Sequence, residues 1–194
     1  MDDSADTVAR TGILYNNGSY NVISGLGSAD INLRGLDLSS LMIRAGSGGN
    51  TFRIHDTPDN TRGEVTTTLS TGAGADHVTI DGTTGALALD VQGAAQGANF
   101  ISAGSATASF NAINGPINIT GLAGAQNSLS IIDSASTTSH AYLVDRNFVQ
   151  RLDKAWIDYQ NMSDLTLRTG AQSDHIIVRD TMQFGIGHSV RRFP

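Results

Sequence analysis

Gly46-x-Gly48-x-Asn50-x-Phe52-x-Ile54-x-x-Thr57 returns 26 residues later as Gly72-x-Gly74-x-Asp76-x-Val78-x-Ile80-x-x-Thr83. Each copy is a turn of small residues closed by Asn or Asp, followed by apolar residues at every second position. Glycine supplies the positive φ that such a turn needs, and an Asx side chain bonds backbone amides near it. Alternation over four to six residues, bounded by Gly, Asn and Thr, is the pattern of a half-buried strand. Looser copies stand at Gly97-Ala98-Asn99-Phe100-Ile101, at 124–131, and at Gly170-Ala171-Gln172-Ser173-Asp174-His175-Ile176. Between them run Leu41-x-Ile43, Leu87-x-Leu89-x-Val91 and Ile117-x-Ile119. Many short strands with one turn in a fixed relation to them predict an all-β parallel β-solenoid. An antiparallel β-sandwich is the alternative, because it too shows short strands between glycine turns.

A longer repeat encloses the short one. Asp3-Ser4-Ala5-Asp6-Thr7 matches Asp133-Ser134-Ala135-Ser136-Thr137 at a spacing of 130, and Leu41–Gly46 matches Leu165–Gly170 at a spacing of 124. The second register also matches Asn50 to Asp174, Phe52 to Ile176 and Ile54 to Val178. The expected organisation is a first long unit over 1–130, a partial second unit over 131–181, and a tail or cap over 182–194. About one and a half units suggest a piece of a longer array. Residues 146–162 read two ways. Phe148, Leu152, Ala155, Trp156, Tyr159 and Met162 fall at helical spacing, whereas the repeat sets Ile157 and Tyr159 against Ile31 and Leu33 and predicts strands.

Composition narrows the functions available. The 194 residues carry a net charge of −6, so no cationic surplus exists to displace counterions from nucleic-acid phosphates. No cysteine is present, which removes disulfides and thiol chemistry. No apolar run reaches the roughly 18 residues of a membrane-spanning helix. The first residues lack the basic and apolar regions of a secretory signal. No nucleophile elbow, phosphate loop or zinc-helix motif occurs.

The stretches Gly-Gly-Asn-Thr-Phe (48–52), Thr-Gly-Ala-Gly-Ala-Asp-His-Val-Thr-Ile (71–80) and the two Asp-Ser-Ala-x-Thr segments resemble repeat units of large bacterial secreted or surface proteins. The turns are similar to those of the RTX nonapeptide family. The resemblance implies a β-solenoid, an extracellular or cell-surface location, and a structural or adhesive role without catalysis. Its partners would be neighbouring repeats or end-to-end copies. RTX turns cage calcium between tandem Gly-Gly-x-Gly-x-Asp repeats. Here Thr71 replaces the first glycine and the other copies carry Asn50, Asn99 or Asn127. Calcium wants about six to eight oxygen ligands, several charged. Asp76 is the one candidate calcium ligand, and an Asx ladder bonding the turn amides is the favoured reading. Its positions are Gly46, Gly48, Asn50, Gly72, Gly74, Asp76, Gly170 and Asp174.

Other candidates are weaker. Asp76-His77 and Asp174-His175 place a carboxylate beside an imidazole, but neighbours on a strand point to opposite faces. Tyr142, Trp156 and Tyr159 form an aromatic cluster that would stack on sugar rings if exposed, so a carbohydrate-binding module is the second functional reading. A polysaccharide-active enzyme is the third. The single lysine, Lys154, leaves little room for an amine base in such an enzyme.

Overall fold

The computed structural model describes residues 1–60, 65–93, 97–105, 107 and 109–180, and the backbone of 191–193. In chain order the strands are β1 (Thr11–Asn16), β2 (Asn21–Ser24), β3 (Ile31–Leu33), β4 (Ser40–Arg44), β5 (Thr51–Ile54) and β6 (Thr66–Ser70). There follow β7 (His77–Ile80), β8 (Ala86–Val91), β9 (Ala98–Ala103), β10 (Ile117–Gly121), β11 (Gln126–Ile132) and β12 (Ala141–Val144). The last are β13 (Phe148–Arg151), β14 (Trp156–Gln160), β15 (Asp164–Arg168), β16 (His175–Val178) and β17 (Arg191–Phe193). Helical geometry among the described residues is confined to two single 3-10 turns, Gly35–Asp37 and Phe110–Ala112.

Two sheets hold these strands. The first runs β17-β15-β11-β9-β7-β5-β1-β2-β3 and the second β16-β12-β13-β14-β10-β8-β6-β4. From β4 to β11 the chain alternates between the sheets, and each strand from β5 on pairs in parallel with one laid down a coil earlier. Antiparallel pairing is limited to the meanders β1-β2-β3 and β12-β13-β14. The antiparallel β-sandwich is therefore not the arrangement found. Residues 146–162 form β13 and β14, not a helix. Of the expected tail, 181–190 and 194 lie outside the described residues, while β17 pairs in parallel with β15 and extends the first sheet.

Alternation in sequence becomes alternation in burial. Leu87, Leu89 and Val91 of β8 point into the core between the sheets, as do Leu129 and Ile131 of β11 and Ile117 and Ile119 of β10. Each such aliphatic side chain contributes roughly 1.5–3 kcal/mol by leaving water. Coil length is less regular than the turn motif suggests. Ser40 lies beside Thr66, Thr66 beside Ala86, Leu87 beside Ile117 and Ile117 beside Ile157, steps of 26, 20, 30 and 40 residues. Only the first step has the period of the motif: the next is shorter, and the two after it take up length in the 110–112 turn and in the second meander.

The long repeat is visible in the pairing. Thr11 lies beside Thr51 and Leu14 beside Ile54, while Ala141 lies beside His175 and Val144 beside Val178. These are the same pairs displaced by 130 and 124 residues. One difference accompanies the repeat: the first meander belongs to the first sheet and the second meander to the second sheet.

Candidate functional site

The most highly ordered polar feature is a column of Asx side chains at the turn between the sheets. Asn50, Asp76, Asn99 and Asn127 stand one above another and are fully or almost fully buried. Asn50 Oδ1 accepts from the Arg10 amide at 3.0 Å, Asp76 Oδ1 from the Asn50 amide at 2.7 Å, and Asn99 Oδ1 from the Asp76 amide at 2.9 Å. Asn99 Nδ2 then donates to Asn127 Oδ1 at 2.8 Å, and Asn127 Nδ2 donates to the carbonyl of Asn161 at 2.8 Å. Asp174 repeats the first rung in the second unit, accepting from the His140 amide at 2.8 Å. A buried amide left without a partner costs about 1–3 kcal/mol, so each rung stabilises the turn it closes.

Asp76 is the one carboxylate in that column. Its Oδ1 faces an amide N–H and its Oδ2 accepts from the Thr71 hydroxyl at 2.6 Å. Both oxygens are thus met by hydrogen-bond donors, the reverse of what a calcium ion requires around it. Burial is the leading influence on its pKa and raises it above the usual 3.8, against the opposing bonds from Asn50 and Thr71. A raised folded-state pKa means that this group's stabilising contribution is complete below 3.8 and is lost as pH rises through the folded value. Asp76→Asn keeps the acceptor for Asn50, and its new amide can donate to the Gly72 carbonyl, as Asn50 Nδ2 does to that of Gly46 at 2.9 Å. The variant is expected to be about 1–3 kcal/mol more stable than the parent at pH 7. In urea titrations that advantage should vanish below pH 4; an advantage independent of pH would refute the account.

Glycines make the close stacking of turns possible. A Cβ at Gly46 would lie 1.8 Å from the carbonyl oxygen of Asp6, and one at Gly170 would lie 2.5 Å from that of Ser136, the matching residue of the second unit. Gly48 meets the Val8 backbone at 2.2 Å. Gly72 and Gly74 combine contact with positive φ, at +76° and +119°. These positions serve backbone packing.

A second polar cluster, not foreseen from the sequence, joins the first unit to the second. Arg151 and Asp133 are buried to within 1% and form an ion pair with Nη1 to Oδ2 at 2.8 Å. The same Asp133 oxygen accepts from the Tyr142 hydroxyl, and its other oxygen from the Phe110 amide at 2.9 Å. Arg151 also donates to Asn111 Oδ1 at 2.7 Å and, through Nε, to Asp153 at 2.8 Å. Burial works against the charge on Arg151, and the two carboxylates override it and hold the guanidinium pKa up. Burial, then Asp133, pushes the Tyr142 phenol up. Lys154 ties the same loop from outside, donating to the Asn111 carbonyl at 2.6 Å and to Asn114 Oδ1 at 2.8 Å. Both carboxylate oxygens of Asp133 accept from donors.

The aromatic cluster divides. Tyr142 and Tyr159 face inward, 0% and 2% exposed, so neither ring offers a platform to a sugar. Tyr159 donates its hydroxyl to the Asp145 carbonyl at 2.8 Å, closing the hairpin between β12 and β13. Trp156 is 51% exposed and is the member left on the surface. On the outer face of the first sheet His77 stacks on Phe100, with ring centroids 5.0 Å apart, beside a shallow strip that includes Ser128, Ser130 and Arg168. His77 and Asp76 point to opposite faces and form no pair. Among the described residues no group of three or more His, Asp or Glu side chains is arranged to hold a metal, and no helix is long and apolar enough to cross a membrane.

Comparison with protein-family models, with curated proteins and with solved structures finds no match in any of the three.

Proposed function

We propose that the chain is a β-solenoid segment that serves as a stiff spacer or adhesive stalk of a large secreted or cell-surface bacterial protein, without catalysis. The observation that supports this reading is where the buried polar groups are spent. The Asx column bonds coil to coil, and Asp133 and Arg151 of the second long unit bond to Phe110 and Asn111 of the first. Function then follows from shape: parallel backbone ladders resist extension, while side chains such as Thr66, Asn118 and Thr120 face outward. Because Asp76 is already saturated by donors, the melting temperature should be the same in calcium and in chelator, since a ligand bound only by the folded state would raise it. A rise in calcium would restore the RTX-like metal site.

The second reading, a carbohydrate-binding module, has the exposed indole of Trp156 in its favour. A glycan array separates the two. No retention by the parent protein supports the spacer, whereas retention that falls at least about tenfold in Trp156→Ala supports the module, given that aromatic stacking contributes about 1 kcal/mol or more. Turnover of an acidic polysaccharide would sink both readings.

A further inference from the structure

The edge of β3 is open at one end of the first sheet, and at the same end of the second sheet β4 is bordered only by the chain's own Met1–Asp3, yet the same molecule displays what covers the equivalent edges elsewhere. β14, the counterpart of β3, pairs in parallel with β10, and β15, the counterpart of β4, pairs in parallel with β11. We propose that the open edge of β3, together with the edge of β4 that Met1–Asp3 partly covers, is the acceptor for the β10–β11 coil of another copy of the same repeat unit. The register is the one β14 and β15 already use. The proposal rests on the reading of the chain as a stacked segment and names what stacks on it.

Three observations carry it. Across the second sheet the column Val178, Val144, Val149, Ile157 ends on Ile117; across the first, Ile54, Leu14, Ile23, Ile31 ends on solvent. Ile157 is 0% exposed and Ile31 is 39% exposed, so one apolar position is buried where the coil is present and bare where it is not. β14 has five residues and the unpaired β3 only three. On the other sheet, Leu165 and Leu167 lie beside Leu129 and Ile131, which predicts the same neighbours for Leu41 and Ile43.

The chain's own first residues already follow this pattern. Asp2 lies beside Arg44 in parallel, as Ile132 lies beside Arg168, and the Arg44 amide donates to the Met1 carbonyl at 3.1 Å. Met1 and Asp2 thus hold the places of Ile131 and Ile132 in an incoming copy. Asp3, the counterpart of Asp133, keeps a buried Oδ2 with no partner, whereas Asp133 accepts the Phe110 amide from the coil before it. A bare strand edge is a template for pairing, and here the template has a defined complement.

The test lengthens the protein by placing a copy of residues 1–130 directly before the full chain, so that Met1 follows Ser130. Because the sequence has no cysteine, a single engineered pair reports the junction. In the original chain Asn118 lies beside Asp158, and Asn118→Cys with Asp158→Cys is the positive control. In the lengthened chain, Asn118→Cys in the added copy and Asn32→Cys in the following copy should bridge on mild oxidation. Arg34→Cys, two residues out of register, should bridge at least about tenfold less, because disulfides need Cα atoms within about 7 Å. Backbone amides of β3 should exchange at least about tenfold more slowly than in the original chain. Equal bridging at positions 32 and 34, with unchanged exchange in β3, would overturn the proposal. The stalk reading fails differently. Eleven added strands shared by two sheets lengthen the particle by about 26 Å, and a bridged protein without that elongation refutes the stalk while the edge pairing stands.

Discussion

Gly72→Val is expected to lose about 3–5 kcal/mol of stability, from a strained backbone and from overpacking together. At this residue φ is +76°, and a Cβ would lie 2.2 Å from the Gly46 carbonyl oxygen and 2.6 Å from that of Ala45. Those atoms belong to the coil beneath, whose own Gly46 rests on Asp6, so the backbone has nowhere to yield. Gly124→Val isolates the two causes. Its φ of +82° is similar, but nothing lies within 4 Å of the added Cβ, so only backbone strain of about 1–3 kcal/mol remains. Equilibrium unfolding in urea measures both. A Gly72 variant no worse than the Gly124 variant would show that the coils do not press on each other as described.

Arg151→Met should cost about 3–5 kcal/mol, because it leaves the Asp133 carboxylate buried without its cation. Tyr142 and the Phe110 amide still donate to it, but neither carries charge. The Arg151→Met, Asp133→Asn double variant should recover much of the loss, since a buried ion pair replaced on both sides is often near neutral. A double-mutant cycle that returns little coupling would mean that Arg151 does not compensate the buried Asp133 carboxylate as described. Hydrogen exchange should also localise the damage, with β12 to β14 losing protection before β6 to β9, which the pair does not touch.

Some of this architecture is written plainly in the chain. Asn50, Asp76, Asn99 and Asn127 were recognisable because a tight turn restricts what can stand there, and the structure stacks the four as the motif aligns them. The alternation 52–54, 78–80 and 87–91 marks which residues point inward for the same local reason. Coil length was illegible past the first step, since insertions such as the 110–112 turn leave strand and corner unchanged. Tyr142 and Tyr159 were sugar-stacking candidates only on condition of exposure, and their inward facing depends on the meander register, which a cluster of aromatics does not reveal. The Asp133–Arg151 pair is separated by 18 residues and forms only once β12 to β14 are paired. One signal for it existed: Arg151 falls two residues after Val149, on the inward parity of β13.

The placement of the two meanders in opposite sheets governs the straightness of the object. Of the strands β1 to β11, seven enter the first sheet and four the second. Were every unit to do the same, one sheet would outgrow its partner by three strands, about 14 Å at the usual spacing. Such a body would curl toward its shorter side with each unit. Because β12 to β14 fall in the second sheet, the meander of the next unit offsets that of the first, and a fibre built of such units, if the proposed stacking holds, would keep a straight axis with a true period of two.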